Sequence, residues 1–494
     1  MRRTRSSIEI QKFAENEQDE DFSDVFGEEH HILEKAESED GSDPSAFMVN
    51  SKFSSISMGD GEDEDDPFAQ LEEGLQNLDL ETNIARDKHA RLRTEVEALV
   101  RQLKISQDDD MLLQISEDLM SAFGLFPETK SVIISAHGIL PILEILEDCS
   151  RLDIVLNLLK IVNAIIFNDH DVQENLCFVG GIPKINKFAS KKFPREIRLE
   201  AAAFVRQMYQ TSTLILQMFV SAGGLTVLVD FLEDDYDDDK ELVLIGVNGI
   251  WSVFELQGST PKNDFCRILS RNSVLDPLSL VLNRVLNEQG ETEEQRELAN
   301  LCEGRIASIF FIFSQAENYV KELVAERTVL HRVLKNLKKM APVHQITMLK
   351  FIKNLSMLST TLDALHNSNA IDVLTELLNE GLDKPHFREL SNQILNTIYN
   401  LCRLSKRRQE DAALDGIIPI LIKIVKQERP LKEFALPILC DMAHSSRAAR
   451  RELWQNKGLA FYVSLLSDPY WQVTALDAIF TWYASLWKGG WEQY

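Results

Sequence analysis

Apolar and polar positions follow three patterns along this chain, and each pattern predicts a different element. From about residue 110 onward a short phrase recurs, in which a glycine or other turn-forming residue is followed three places later by a proline or its substitute. Gly138-Ile-Leu-Pro141 and Gly416-Ile-Ile-Pro419 are the clearest copies, and Gly180-Gly-Ile-Pro183 and Gly223-Gly-Leu-Thr226 follow them closely. Weaker copies begin at Ser273, Asn369 and Lys457, with a doubtful one at Thr328. Measured at the proline place, the phrase falls at 141, 183, 226, 276, 331, 372, 419 and 460, so its spacing runs from 41 to 55 residues. Glycine permits the left-handed turn that ends one helix. Proline suits the first turn of the next, where its missing N–H costs nothing. Apolar residues two, five and six places after the proline place line one helical face, as in Leu228, Phe231 and Leu232, in Leu374, Leu377 and Leu378, and in Leu421, Ile424 and Val425. A unit of this size cannot bury such a face alone, so neighbouring units must stack.

The second pattern covers residues 68–105. Leu71, Leu75, Leu78, Thr82, Ala85, His89, Leu92, Val96, Leu99 and Leu103 alternate spacings of four and three. That period predicts one long helix with a heptad seam. Thr82, Ala85 and His89 are weak seam residues, which leaves two readings open: a homodimer through 68–105, or a helix that caps the first repeat. The third pattern is the lack of one. Residues 1–67 are rich in acid, serine and glycine, as in Gly59-Asp-Gly-Glu-Asp-Glu-Asp-Asp66, and read as a disordered acidic tail. Ile8, Ile10, Phe13, Phe22, Val25 and Phe26 are threaded through it, either as stray apolar residues or as a linear motif for a partner groove.

Charge narrows the range of partners. The formal net charge is −26, and residues 1–80 carry 23 acidic against 6 basic residues, whereas 321–494 carry 18 against 23. The overall sign speaks against nucleic acid and against an anionic membrane, since phosphate binding needs clustered cations. The mildly basic last third suits an acidic protein segment. The six cysteines form no C-x-x-C pair and have no histidines at zinc spacing, so no metal is expected and a reducing compartment fits. No apolar stretch follows Met1-Arg-Arg-Thr-Arg, so no signal peptide is expected. No uncharged apolar run reaches the about 18 residues of a membrane span. Two acidic insertions, 233–241 and 287–294, read as solvated surface loops; the first lacks the central glycine and closing glutamate of a calcium loop.

The motifs of catalysis are missing. G-x-G-x-x-G, G-x-x-x-x-G-K-[ST], H-R-D, D-F-G, G-x-S-x-G and H-E-x-x-H do not occur. His344 and His444 have no nucleophile at usable spacing and read as surface or boundary residues. The expectation is a protein that binds proteins, with no enzyme activity and no cofactor.

A period near 42 is that of armadillo and HEAT units, and the phrase with its apolar offsets resembles the armadillo repeat. The fold class read from the chain is therefore all-α, an armadillo/HEAT-like α-solenoid over 110–494. The resemblance implies three-helix units whose third helices line a groove, where a recurring asparagine holds the backbone of an extended peptide. Asn400 lies nineteen residues before Pro419 and Asn354 eighteen before Asp372, while Asp441 holds the corresponding place before Ala460. Lys350 and Asn396 lie one turn before these amides and Arg403 three residues after the second. The implied protein-binding groove is thus Lys350, Asn354, Asn396, Asn400 and Arg403; amides that merely face solvent are the alternative. Nuclear-import adaptors of this family carry a tryptophan four residues before each asparagine. Lys350 and Asn396 stand there instead, and Trp251 is followed at that distance by Glu255.

A narrower resemblance covers 8–105. Ile10-Gln-Lys-Phe-Ala-Glu-Asn-Glu-Gln-Asp-Glu-Asp-Phe-Ser-Asp-Val-Phe-Gly27, Asp66-Pro-Phe-Ala-Gln-Leu-Glu72 and Ala85-Arg-Asp-Lys-His-Ala-Arg-Leu-Arg93 resemble the region after the catalytic domain in fungal septation-initiation protein kinases. Plant epsilon-class MAP kinase kinase kinases share this layout of kinase, acidic linker and armadillo array. The resemblance implies a regulatory scaffold of a cytokinesis kinase, bound by a small Ras-like GTPase or a spindle-pole anchor, in the cytoplasm and at the spindle pole body and septum. The kinase domain itself is not in this chain. A stand-alone armadillo adaptor unrelated to septation is the other reading.

Overall fold

The computed structural model describes residues 80–126, 128–256, 262–288, 290, 292–382, 384–427 and 431–489. The acidic segment over 1–67 and the seam residues at 71–78 lie outside these. Among the described residues there are helices and turns and no strand.

The first helix, α1 (Leu80–Gln102), carries the second half of the heptad seam. Leu92, Val96 and Leu103 are buried, with Val100 beside them, against the next helix (Asp109–Leu125) and the short helix Thr129–Ser135. A Cβ on Gly138 would stand 3.2 Å from Val100 Cγ1 and 2.7 Å from Ile133 Cγ2, so glycine is what lets the helix approach. Over 92–103 the seam is therefore spent on capping the array, while Arg86 to Ala90, His89 included, is exposed.

Eight three-helix units follow among the described residues, over 129–166, 170–210, 213–255, 262–315, 318–356, 359–402, 406–443 and 447–489. Their long third helices stack in sequence on Asp109–Leu125, and we label this series α2 (Asp109–Leu125), α3 (Leu152–Ile166), α4 (Arg195–Gln210), α5 (Lys240–Glu255), α6 (Glu293–Gln315), α7 (Pro342–Ser356), α8 (Phe387–Cys402), α9 (Lys432–Ala443) and α10 (Gln472–Gly489). The offsets read from the sequence fall on the shared core: Leu228, Phe231, Leu232, Leu374, Leu377, Leu378, Leu421 and Ile424 are buried, and Val425 is half-buried.

The recurring phrase is a backbone event. Between the first and second helices, Gly180, Gly223, Ser273, Asn369, Gly416 and Lys457 all take positive φ, from 50° to 85°. Even serine, asparagine and lysine are thus forced into the left-handed turn that glycine fits best. In the first unit the turn sits one residue early, at His137 with φ 56°. The doubtful copy at Thr328 has no such turn: Glu326 is extended at φ −77° and ψ 134°, and the helix starts at Arg327.

The acidic insertion 233–241 is exposed at Glu233, Asp235, Asp237, Asp238 and Glu241, as a surface loop would be, but it is anchored at the residues between. Asp234 turns inward, its side chain 6 % exposed, to an ion pair of 2.5 Å with the equally buried Arg198. Asp239 pairs with Arg195 at 2.6 Å, Asp237 with Arg284 at 3.1 Å, and the Tyr236 hydroxyl donates to Glu288 at 2.9 Å. The insertion ties three successive units together, because burying Arg198 requires a carboxylate beside it. His344 is a boundary residue, one of the two places the sequence allowed for it. It is half-buried where α6 and α7 meet, so close to Gly304 that a Cβ there would stand 2.6 Å from the imidazole Cε1. Burial lowers its pKa from the ordinary value.

No single described helix is long and apolar enough to cross a membrane; two bent pairs reach the mark by length and composition only. All six cysteines are free and five are buried. Burial pushes the Cys402 thiol up to about 12, which suits a packing role.

Candidate protein-binding face

The long helices are laced together by a repeated polar device. Asn354 on α7 donates its Nδ2 to Ser314 Oγ of α6 at 3.0 Å, and that hydroxyl donates to the Phe311 carbonyl at 2.6 Å. One unit later, Asn400 on α8 donates to Ser356 Oγ of α7 at 3.0 Å, and Ser356 donates to the Lys353 carbonyl at 2.6 Å. At the other end of the array, Asn157 donates to Ser116 at 3.0 Å and Ser116 to the Leu113 carbonyl at 2.7 Å. Ser116, Ser314 and Ser356 are buried, while the three asparagines are half-buried. Each hydroxyl has thereby satisfied both its donor and an acceptor site without water. Each amide is fixed in orientation by this bond, which uses one N–H; a second N–H and the Oδ1 are the kinds of group that pair with an extended backbone.

Two of the expected groove residues, Asn354 and Asn400, therefore sit where the long helices set a polar row, and they do structural work as well. Asn354 and Asn400 do not simply face solvent. Asn396 is half-buried and donates to Asn392 Oδ1 at 3.3 Å. Lys350 places its ammonium 5.9 Å from the Phe311 ring centroid, which holds the cation over the α6–α7 seam. Arg403 is exposed just past the end of α8. At Asp441 the row changes character: burial pushes that carboxyl above its ordinary pKa, against the pull of His444 and Arg403.

Sequence reasoning missed part of this row. Asn163 donates to Glu200 Oε2 at 2.9 Å and accepts from Gln207 Nε2 at 3.3 Å, which joins α3 to α4. Asn163 lies twenty residues before Pro183 and Gln207 nineteen before Thr226, so the same spacing rule finds both. The serine partners carry no such signal, because a serine forty residues upstream looks like any other.

One more acid stands out between α6 and α7. Glu303 accepts the Ala341 N–H at 2.8 Å, just ahead of the first turn of α7. It is buried without a cation, and burial pushes its carboxyl up to about 7. Among the described residues no group of three histidine, cysteine or acidic side chains is placed to hold a metal.

The chain is 76% identical to the cytokinesis protein sepH of Aspergillus niger over 98% of its own length and 36% of that protein's. It is 36% identical to cell division control protein 7 of Schizosaccharomyces pombe, over 96% of this chain and 44% of that one. Its close homologues are septation kinases of fungi. The MAP3K epsilon protein kinase 1 of Brassica napus is a more distant relative, 26% identical over 78% of the chain and 45% of that protein. The chain thus spans about a third of the length of the Aspergillus protein and under half of the Schizosaccharomyces one. No family model matches. Among solved structures, computationally designed armadillo repeat proteins for modular peptide recognition align over 52% of the chain and 98% of theirs, at TM-score 0.39 and 16% identity. A chain from a structure on the interaction between cadherin and beta-catenin aligns over 82% and 79%, at TM-score 0.48 and 14% identity. These are likenesses of fold and carry nothing about ligands.

Proposed function

We propose that this chain is the protein-binding, regulatory part of a septation kinase, and that the face lined by its long helices holds a segment of a partner. The partner class is a small Ras-like GTPase or a spindle-pole anchor, and the place of action is the cytoplasm, the spindle pole body and the septum. The observation that carries the reading is the pinned amide row. Orienting Asn354 and Asn400 through buried serines leaves their remaining amide groups ordered in advance, which reduces the entropy lost on binding. Lys350 and Arg403 flank that row and suit an acidic segment. No residue of the row is assigned a catalytic role. Homology to kinases over a third of their length fits a scaffold that lies beside the catalytic domain.

The test is a binding titration of the 1–494 chain with the purified septation GTPase, loaded with GTP or GDP. Arg403→Glu should weaken binding, and more so at low ionic strength. Asn400→Ala should weaken it by about 1 kcal/mol, roughly fivefold, for one lost hydrogen bond. If both variants, shown to be folded, bind like the parent, the face of the long helices is not the site.

A further inference from the structure

The cations of this array are not all treated alike. Many are spent on carboxylates: Arg151 on Asp110, Arg195 on Asp239, Arg198 on Asp234, Arg332 on Asp276, and in the seventh unit Arg408 on Asp363 and Lys432 on Asp468. In the seventh and eighth units, Lys406, Arg407 and Arg451 are exposed and have no ion-pair partner among the described residues. All three belong to first helices, Lys406–Leu414 and Arg447–Gln455, and not to the long helices of the amide row.

These two helices pack side by side. Ser445 Oγ donates to the Lys406 carbonyl at 2.9 Å, which ties the start of one helix to the start of the other. On the second helix Arg447, Arg451 and Trp454 follow each other at the spacing of a single face. Trp454 is 55 % exposed. Its indole meets the buried Trp482 edge-on at 6.3 Å, so the ring is held from behind while its front is open. Lys406 and Arg407 sit in the first turn of their helix, where the helix dipole repels positive charge. Their placement thus does nothing for the stability of the array. A rigid, half-open tryptophan beside the exposed Arg451 guanidinium is the composition that carries binding energy at protein interfaces.

We propose that this two-helix surface docks a carboxylate-rich segment of a partner protein that also bears a large apolar side chain. Lys406, Arg407 and Arg451 receive the carboxylates, and Trp454 receives the apolar group. The surface is separate from the row at Asn354, Asn400 and Arg403, and it stands or falls independently of that row.

The experiment uses the full 1–494 chain and a fluorescein-labelled synthetic peptide of alternating glutamate and leucine, with binding read as fluorescence anisotropy. The parent should bind in a salt-sensitive manner, and the peptide with every glutamate replaced by glutamine should not bind. The double variant Arg407→Glu, Arg451→Glu should lose about tenfold or more in affinity. Trp454→Ala should lose about fivefold, and both should keep the parent's circular dichroism. Asn400→Ala and Arg403→Glu should leave this peptide's binding unchanged. The proposal is overturned if the double variant, still folded, binds the peptide like the parent. It is equally overturned if Arg403→Glu weakens binding as much, or if single-stranded oligothymidylate binds as tightly as the peptide, since the surface would then be the groove or an unselective polyanion site.

Discussion

The third and the seventh units are both richly charged, yet they place part of that charge differently. The third turns Asp234 of its acidic insertion inward against the buried Arg198, while Asp239 and Asp237 hold arginines of neighbouring units. The seventh leaves Lys406 and Arg407 in solvent, and the eighth does the same with Arg451. A buried pair is a structural commitment, because removing one partner strands the other charge in a poorly solvated place. An exposed unpaired cation contributes little to folding and remains available to a partner.

The sharpest way to break this comparison is to remove one charge from each region. Asp234→Ala leaves the Arg198 guanidinium with the Ala189 carbonyl as its remaining bond, at 3.0 Å from Nε, and without a counter-charge. It should cost about 3–5 kcal/mol, read from the midpoint of urea unfolding. Arg407→Gln should stay within about 0.5 kcal/mol in the same assay. Equal losses in the two variants would dissolve the contrast.

Between these regions stands a buried acid bonded to a backbone N–H and not to a cation. Glu303 is held at about 7 against an ordinary value of 4.5, so the folded chain keeps a proton that the unfolded chain loses between those two values. Its contribution to stability therefore falls as pH rises from 4.5 to 7. Glu303→Gln keeps an acceptor for the Ala341 N–H and carries no titratable proton. The variant should gain on the order of 2 kcal/mol over the parent at pH 8. The gain should fade toward pH 4.5, measured as thermal stability across that range. A gain that is flat with pH would mean that Glu303 does not titrate as its burial implies.

The smallest effect concerns a cation in the turn itself. Lys457 holds φ 60° where three sister units place glycine. Lys457→Gly relieves a left-handed lysine at about 1–2 kcal/mol but gives back part of that through a freer unfolded chain. The net expectation is a gain of about 0.5 kcal/mol in denaturant unfolding, and a loss would show that the lysine side chain makes an inter-unit contribution.

Much of this molecule was readable along the chain. The number and phase of the units follow from the left-handed turn and the apolar offsets behind it. Both depend on residues within a few positions of each other, so local sequence fixes them. The weak copies at Ser273, Asn369 and Lys457 mark real turns, and the doubtful one at Thr328 is the one whose turn takes another form. Asn354 and Asn400 were legible for the same reason, as fixed offsets from a local landmark.

What the sequence left open depends on groups about forty residues apart meeting when the units stack. Nothing near Asp234 announces that it faces Arg198, and an acidic run by itself looks like a solvated loop. Nothing near Ser314 or Ser356 marks it as the anchor of an asparagine one unit ahead. Whether the seam over 92–103 packs on the array was likewise undecided, because a heptad seam fits more than one kind of surface. The tertiary structure settles these points, since desolvation and hydrogen-bond satisfaction belong to the assembled stack and not to any single unit.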